Sequence, residues 1–152
     1  MRVRKATLAD LDIIVPLFDG YRQFYRQPSD MERSRLFLKE RMQLGESVIF
    51  IAFAEEENLK EQALGFTQLY PIFSSVSMER MLLLNDLFIH PDHRGKGIGK
   101  LLIDNAKDFC KETTQKGIVL QTETTNRAQS LYEREGFNKD PDLHYFWANK
   151  QL

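Results

Sequence analysis

Between residues 86 and 104 the chain reads Asp-Leu-Phe-Ile-His-Pro-Asp-His-Arg-Gly-Lys-Gly-Ile-Gly-Lys-Leu-Leu-Ile-Asp, an apolar strand that passes through a proline turn into a glycine run and then a helix. Few folds accommodate that order. Gly95, Gly97 and Gly99 let the backbone approach a ligand closely, and the helix that follows points its unpaired N–H groups and positive dipole end back at the same place. Arg94, Lys96 and Lys100 add positive charge around it. The spacing therefore predicts an anion cradle between a strand and a helix.

The cradle's charge is local. Overall the chain carries 21 basic and 22 acidic residues for a net charge of −1, which gives no field to gather nucleic acid or an anionic membrane. With 152 residues and no Ser, Gly or Pro-rich linker, a single domain spanning 1–152 is expected, and 42% hydrophobic residues with 11 Phe suffice for its core. A single Cys, Cys110, excludes an internal disulfide and a Cys-based zinc cluster. No apolar signal region opens the chain and no run of 18 or more apolar residues occurs, so a cytoplasmic, soluble protein is expected.

Around the cradle the pattern alternates between strands and helices. Arg2–Ala6 reads as a short strand, and Leu11, Ile13, Ile14, Leu17, Phe18, Tyr21 and Phe24 recur at helical spacing. Asp30 caps a second helix from Met31 to about Leu44, with Gly45 as its stop. Ser47–Ala54, Ala63–Tyr70 and Arg80–Ile89 read as strands of an antiparallel meander, with Glu55–Gln62 as a charged turn and Pro71–Ser75 as a break. The helix after the glycines runs to about Lys116-Gly117, Gly117–Thr124 is a further strand, Asn126–Glu135 a short helix, and His144–Ala148 a last strand. The strand, loop, helix, strand order makes the strands on either side of the loop parallel.

Two better-known phosphate loops fail on counting. A Walker loop places Gly where Arg94 stands and Ser or Thr where Leu101 stands, and a dinucleotide fingerprint needs Gly-x-Gly-x-x-Gly where this chain has Gly-x-Gly-x-Gly. The pattern that does fit is Arg/Gln-x-x-Gly-x-Gly/Ala, met by Arg94, Gly97 and Gly99, which resembles the acetyl-CoA loop of the GNAT (GCN5-related N-acetyltransferase) family. Downstream, Asn126-Arg127-Ala128-Gln129-Ser130-Leu131-Tyr132-Glu133-Arg134-Glu135-Gly136-Phe137 is similar to that family's Asn-x-x-Ala-x-x-Leu-Tyr-x-x-x-Gly-Phe signature.

That resemblance implies an α/β (α+β) fold: a mixed, mostly antiparallel sheet of about six to seven strands, flanked by about four helices, with a splayed parallel pair at the ligand. It implies an enzyme that uses acetyl-CoA to acetylate a primary amine, on a small molecule or a peptide, by direct attack on the thioester. Arg94, Gly95, Lys96, Gly97, Ile98, Gly99 and Lys100 would hold the pyrophosphate, backbone groups of Leu87, Phe88 and Ile89 would pair with the pantetheine arm, and Asn126 would bond that arm. Tyr132 matches the family's general acid.

The base is read differently. Where some relatives carry a Glu-Asp pair this chain has Asn85-Asp86, which leaves Asp86 as the nearest carboxylate; strict alternation sends it to the face opposite Asn85 unless a bulge intervenes. Glu123 is a second, weaker candidate, and water or bulk solvent is the alternative to a side-chain base. Tyr21, Phe24 and Tyr25 read as helix packing and Cys110 as core, while His90 and His93 lie in a turn with no further ligands, so no metal is expected. Asp30, Glu32 and Glu79 would favour a cationic amine, and the sheet edge and the Phe73 loop are candidate surfaces for a homodimer. A non-catalytic acyl-CoA sensor on the same fold is the alternative function.

Overall fold

In the computed structural model, which describes residues 1–54 and 62–149, five strands form one sheet in the order β1-β2-β3-β4-β5. They are β1 (Arg2–Lys5), β2 (Val48–Phe53), β3 (Ala63–Ser74), β4 (Glu79–Ile89) and β5 (Ile118–Leu120). Neighbours are antiparallel except β4 and β5, which are parallel because α3 (Ile98–Glu112) carries the chain across between them. Helices α1 (Leu11–Phe24) and α2 (Met31–Gln43) cover one face, α3 the other, and α4 (Gln129–Arg134) follows β5. Of the turn expected at Glu55–Gln62, residues 55–61 lie outside the described residues.

Alternation along β2 explains the two layers. Ile49, Ile51 and Phe53 enter the core under α1 and α2, whereas Phe50 and Ala52 enter the core under α3. The α3 residues Ile98, Leu102, Ile103, Ala106 and Cys110 recur at helical spacing and are all buried on that second side. Cys110 is thus a core residue, as its pattern predicts.

Five boundaries differ from the pattern. α3 ends at Glu112 and not near Lys116-Gly117, with Thr114 behind it at a left-handed φ of +53°. β3 continues through Pro71 to Ser74, because pairing with β2 has ended at Leu69 and the missing N–H of Pro71 faces an edge with no partner. β5 is confined to Ile118–Leu120, shorter than Gly117–Thr124. The last helix starts at Gln129 and not at Asn126, since the Asn126 Oδ1 accepts from the Ala128 N–H at 2.9 Å and holds the preceding residues in a turn. Residues 144–148, expected as a strand, pair with none of the described strands; the sheet has five strands because β5 keeps an open edge and this segment stands away from it with its aromatic rings in solvent.

The register of β3 on β4 slips once: Gln68 lies opposite Asp86 and Leu69 opposite Leu84, so Asn85 is a bulged residue with no partner. The bulge reverses the parity of β4. Leu82 and Leu84 face α3, but Phe88 joins the core under α1. Asp86 shares the parity of Phe88, where strict alternation from Leu84 would have put it beneath α3.

Candidate active site

The glycine loop is built from a turn and a helix start. His90 leads into a short 3-10 turn at Pro91–His93, with its Nδ1 accepting from the Asp92 N–H at 3.4 Å, and Gly97 then adopts a left-handed φ of +79° as the residue before α3. Gly95 is also left-handed at +75°. At neither glycine would a Cβ meet anything within 4 Å, so the backbone there borders open space. Leu101 is the first amide to close onto the helix, bonding Gly97 O at 3.1 Å, and the amides of Gly95 through Lys100 have no hydrogen-bond partner among the described residues. All of these residues but Lys96 border a cavity of about 420 Å³ that Ile89, His93, Leu131, Arg134 and Glu135 also line.

The charged side chains of the loop itself are tied down. Arg94 donates from Nε to Ile89 O at 3.1 Å and lies over the rings of Phe24 and Phe88, Lys96 donates to Asp92 O at 3.2 Å, and Lys100 reaches Asp104 at 2.8 Å and Glu135 at 3.2 Å. The unspent donors are thus the backbone amides more than the cations. Arg134 and Glu135 escaped the sequence reading, since α4 brings them over the loop only through tertiary packing: Leu131 sits where a Cβ on Gly99 would come within 3.0 Å.

Beside the loop the sheet opens. β4 and β5 pair only from Leu82/Ile118 to Leu84/Leu120, and β4 then runs on alone on that edge to Ile89. His90 N–H bonds Leu64 O at 2.9 Å, so alternation directs the backbone of Phe88 at β3 and that of Leu87 and Ile89 at the open edge. Of the three residues expected to present their backbone, Phe88 is therefore spent within the sheet.

A groove of about 1410 Å³ runs along β5 and the residues following it, walled also by Asn85, by Tyr21 of α1, by Tyr25 just after that helix, and by Tyr132 of α4. Tyr21 and Tyr25 pack edge to face at 5.1 Å, and they line the groove as well as packing α1. The Tyr132 ring is 91% buried, T-stacked on Phe137, and burial pushes its hydroxyl up to about 12. Helix α4 thereby separates the two spaces: Leu131 and Arg134 face the loop cavity and Tyr132 faces the groove.

Behind the groove wall is a buried polar cluster. Asp86 is 1% exposed, and its carboxylate accepts from Gln68 Nε2 at 2.5 Å and from Asn85 Nδ2 at 2.8 Å. Gln68 Nε2 also donates to Tyr70 Oη at 3.0 Å, and the Tyr21 hydroxyl donates to Asn85 O at 3.0 Å while lying close enough to stabilise the Asp86 charge. Burial is the largest influence on Asp86 and pushes it up to about 6, against the lowering by these donors. Tyr21 and Tyr70 are both raised by burial and by the neighbouring Asp86 charge. The bulge that buries Asp86 here carries no glycine to announce it. Glu123 is half-exposed beyond β5 and pairs with Arg26 at 2.5 Å, which links the end of α1 to the far rim of the groove. The loop from Tyr25 to Asp30 is held by Asp19, a buried carboxylate accepting from Ser29 Oγ at 2.7 Å and from the Asp30 N–H at 2.8 Å. Among the described residues no three His, Cys, Asp or Glu side chains gather as a metal site, and no helix is long and apolar enough to cross a membrane.

Comparison with known proteins decides the family. The family profile described as Acetyltransferase (GNAT) domain matches residues 45–139, which include the loop, the split strands and α4. The chain belongs to the GNAT acetyltransferases. Within that family it is 48% identical over 150 residues to an uncharacterized N-acetyltransferase, YhfO, of Bacillus subtilis, covering 98% of this chain and 97% of YhfO. It is 36% identical over 146 residues to a probable acetyltransferase of Haemophilus influenzae, covering 96% of each. A crystal structure of a probable acetyltransferase matches with a TM-score of 0.89 at 38% identity, over 98% of this chain and 97% of the other. This GNAT protein is an N-acetyltransferase with the α/β fold of its family.

Proposed function

We propose that this GNAT enzyme takes its acetyl group from acetyl-CoA and passes it directly to a primary amine. The observation that carries the reading is the run of unpartnered amides from Gly95 to Lys100 on a backbone that borders open space, beside a strand edge left bare by the β4–β5 split. Such a cradle fits a pyrophosphate, which accepts several N–H bonds at once at the positive end of α3. The backbone of Leu87 and the N–H of Ile89, whose carbonyl already accepts from Arg94 Nε, fit an amide-bearing arm that adds to the sheet as a strand would, and Asn126 lies within hydrogen-bonding reach of the Tyr25 hydroxyl. When bound, acetyl-CoA supplies an activated thioester within reach of a nucleophilic amine.

The chain's own groups then handle protons. Tyr132 keeps its proton throughout the physiological range and donates it from Oη at the end of the reaction. Asp86, poised at about 6 and therefore mostly ionised at neutral pH, draws the amine's proton away through the Tyr21 hydroxyl, which passes its own proton to the carboxylate as it takes the amine's. The acceptor enters from the aromatic side of the groove.

A thiol-release assay with acetyl-CoA and a panel of amines tests the reading. Thiol release that depends on a particular amine is expected; binding of acetyl-CoA with no turnover for any amine would leave only a sensor. In the same assay Tyr132→Phe should lower kcat about 100-fold while the KM for acetyl-CoA stays within about twofold. Unchanged kcat would remove Tyr132 from the proton path.

A further inference from the structure

On β3, between the core residues Phe66 and Leu69, stand two fully buried polar side chains, Thr67 and Gln68. Gln68 lies directly opposite Asp86 on β4, so the two side chains share a face and meet across the ladder. Both hydrogens of its amide are spent: Nε2 donates to Asp86 Oδ2 at 2.5 Å and to Tyr70 Oη at 3.0 Å. The amide oxygen has nothing. Oε1 is buried with no hydrogen-bond partner among the described residues, a costly state for an acceptor. Turned over, the amide would offer Oε1 to the Tyr70 hydroxyl but would set that oxygen against the Asp86 carboxylate. The amide is therefore kept as a donor by the charge it serves.

The carboxylate is held at both of its oxygens. Oδ2 lies behind, on Gln68, and Oδ1 accepts at 2.8 Å from Asn85 Nδ2, a side chain at the groove wall. Thr67 fixes the backbone at the same point, its Oγ1 donating to Asp86 O at 2.8 Å. The titratable groups facing Asp86 are phenols: Tyr21 from α1, Tyr25 just after that helix, and Tyr70 from β3, with Arg41 of α2 beyond Tyr70. Among the described residues no cation lowers Asp86, so neutral donors alone hold its charge.

We propose that Gln68 is the positioning residue of the proton acceptor: oriented by Tyr70, its amide fixes Asp86 from behind, keeps it an acceptor and leaves Oδ1 toward the groove. The role rests on Asp86 being the group that receives the amine's proton. Gln68 itself lines neither the groove nor the loop cavity, and it acts through Asp86 alone.

Gln68→Met keeps the length and about the volume of the side chain and removes both donors. In protein carrying aspartate labelled at the side-chain carboxyl carbon, the carbon NMR signal that Asp86→Asn deletes should titrate at about 6 in wild type. In Gln68→Met the midpoint should stand about one pH unit higher, a 10-fold change in the ionisation constant, because the ionised form loses its donor. Tyr70→Phe, at a half-buried position, should move the midpoint the same way by about two- to threefold, and it reads the same role where Gln68→Met fails to fold. Thiol release with acetyl-CoA and the most active amine of the panel should follow. The wild-type-to-Gln68→Met ratio of kcat/KM should be about fivefold at pH 6 and close to one above about pH 8, with the KM for acetyl-CoA unchanged. A midpoint that stays at about 6 overturns the role of Gln68 and leaves Asp86 as the base. A midpoint that moves while the rate ratio is the same at every pH overturns Asp86 as the base, and the positioning role with it.

Discussion

Asp86 shows how one residue's chemistry is set by a neighbour that does nothing but take up space in the chain. The unpaired Asn85 turns Asp86 from the α3 face to the α1 face, where it is sealed between Gln68 and the ring of Tyr21. Its carboxyl, ordinarily at 3.8, is held at about 6, so the folded state prefers the protonated form. The stabilisation this gives is complete below pH 3.8 and is lost as pH rises through about 6. Asp86→Asn, which cannot ionise, removes that loss. Urea unfolding at a series of pH values should therefore show the variant gaining about 1–3 kcal/mol on wild type between pH 4 and pH 7.5. Gln68 Oε1, buried without a partner among the described residues, is available to accept from the new amide once its own amide turns over. In activity the sign is opposite: the kcat/KM of wild type should rise through pH 6, and the variant should be slower by about 100-fold at neutral pH. A variant that is stabilised as expected but fully active would make the cluster purely structural.

At the scale of elements, the loop was legible in sequence and the bulge was not, for a physical reason. Gly97 and Gly95 announce themselves because left-handed backbone costs any other residue about 1–2 kcal/mol, so the residue type betrays the conformation. A bulge on Asn85 needs no special residue, and neither Gln68 nor Tyr70 carries a periodic mark that sets it apart from core. Helices α1 to α3 and strands β1 to β4 were legible from apolar spacing, while β5 and residues 144–148 were overread because apolar composition was taken to guarantee a partner strand. Gly45 gives the loop a control, since it shares a positive φ of +67° with open space around it but stops α2 far from the site. Gly45→Ala and Gly97→Ala should each cost about 1–2 kcal/mol in thermal unfolding. Only Gly97→Ala should raise the KM for acetyl-CoA, by about 10-fold, because only there does the added methyl enter the cradle. Equal KM changes in both would mean that the glycines report backbone strain and not a binding site.

For the molecule as a whole, the split between β4 and β5 is where the sheet that separates the two cores is least joined. The layer under α1 and α2 and the layer under α3 share one sheet, yet β5 contributes only three paired residues to β4, and the edge from Leu87 to Ile89 carries no strand. A ligand laid into that opening bonds backbone from β4 and from the start of α3 together, and so ties the sheet to the helix that crosses over it. Because such a ligand binds the folded state and not the unfolded one, it shifts the whole unfolding equilibrium by about 2.7 kcal/mol at 100 times its dissociation constant. For a domain of this length that raises Tm by about 5–11 °C. Coenzyme A, which is the product under the proposed reaction and keeps the pyrophosphate and the arm, should give this shift in calorimetry as a single displaced transition. In Gly97→Val the shift should vanish while the transition stays single. A two-step melt with coenzyme A moving only one step would mean that the layers unfold separately and that the ligand fastens one of them; no shift in wild type would mean that the folded chain does not bind coenzyme A.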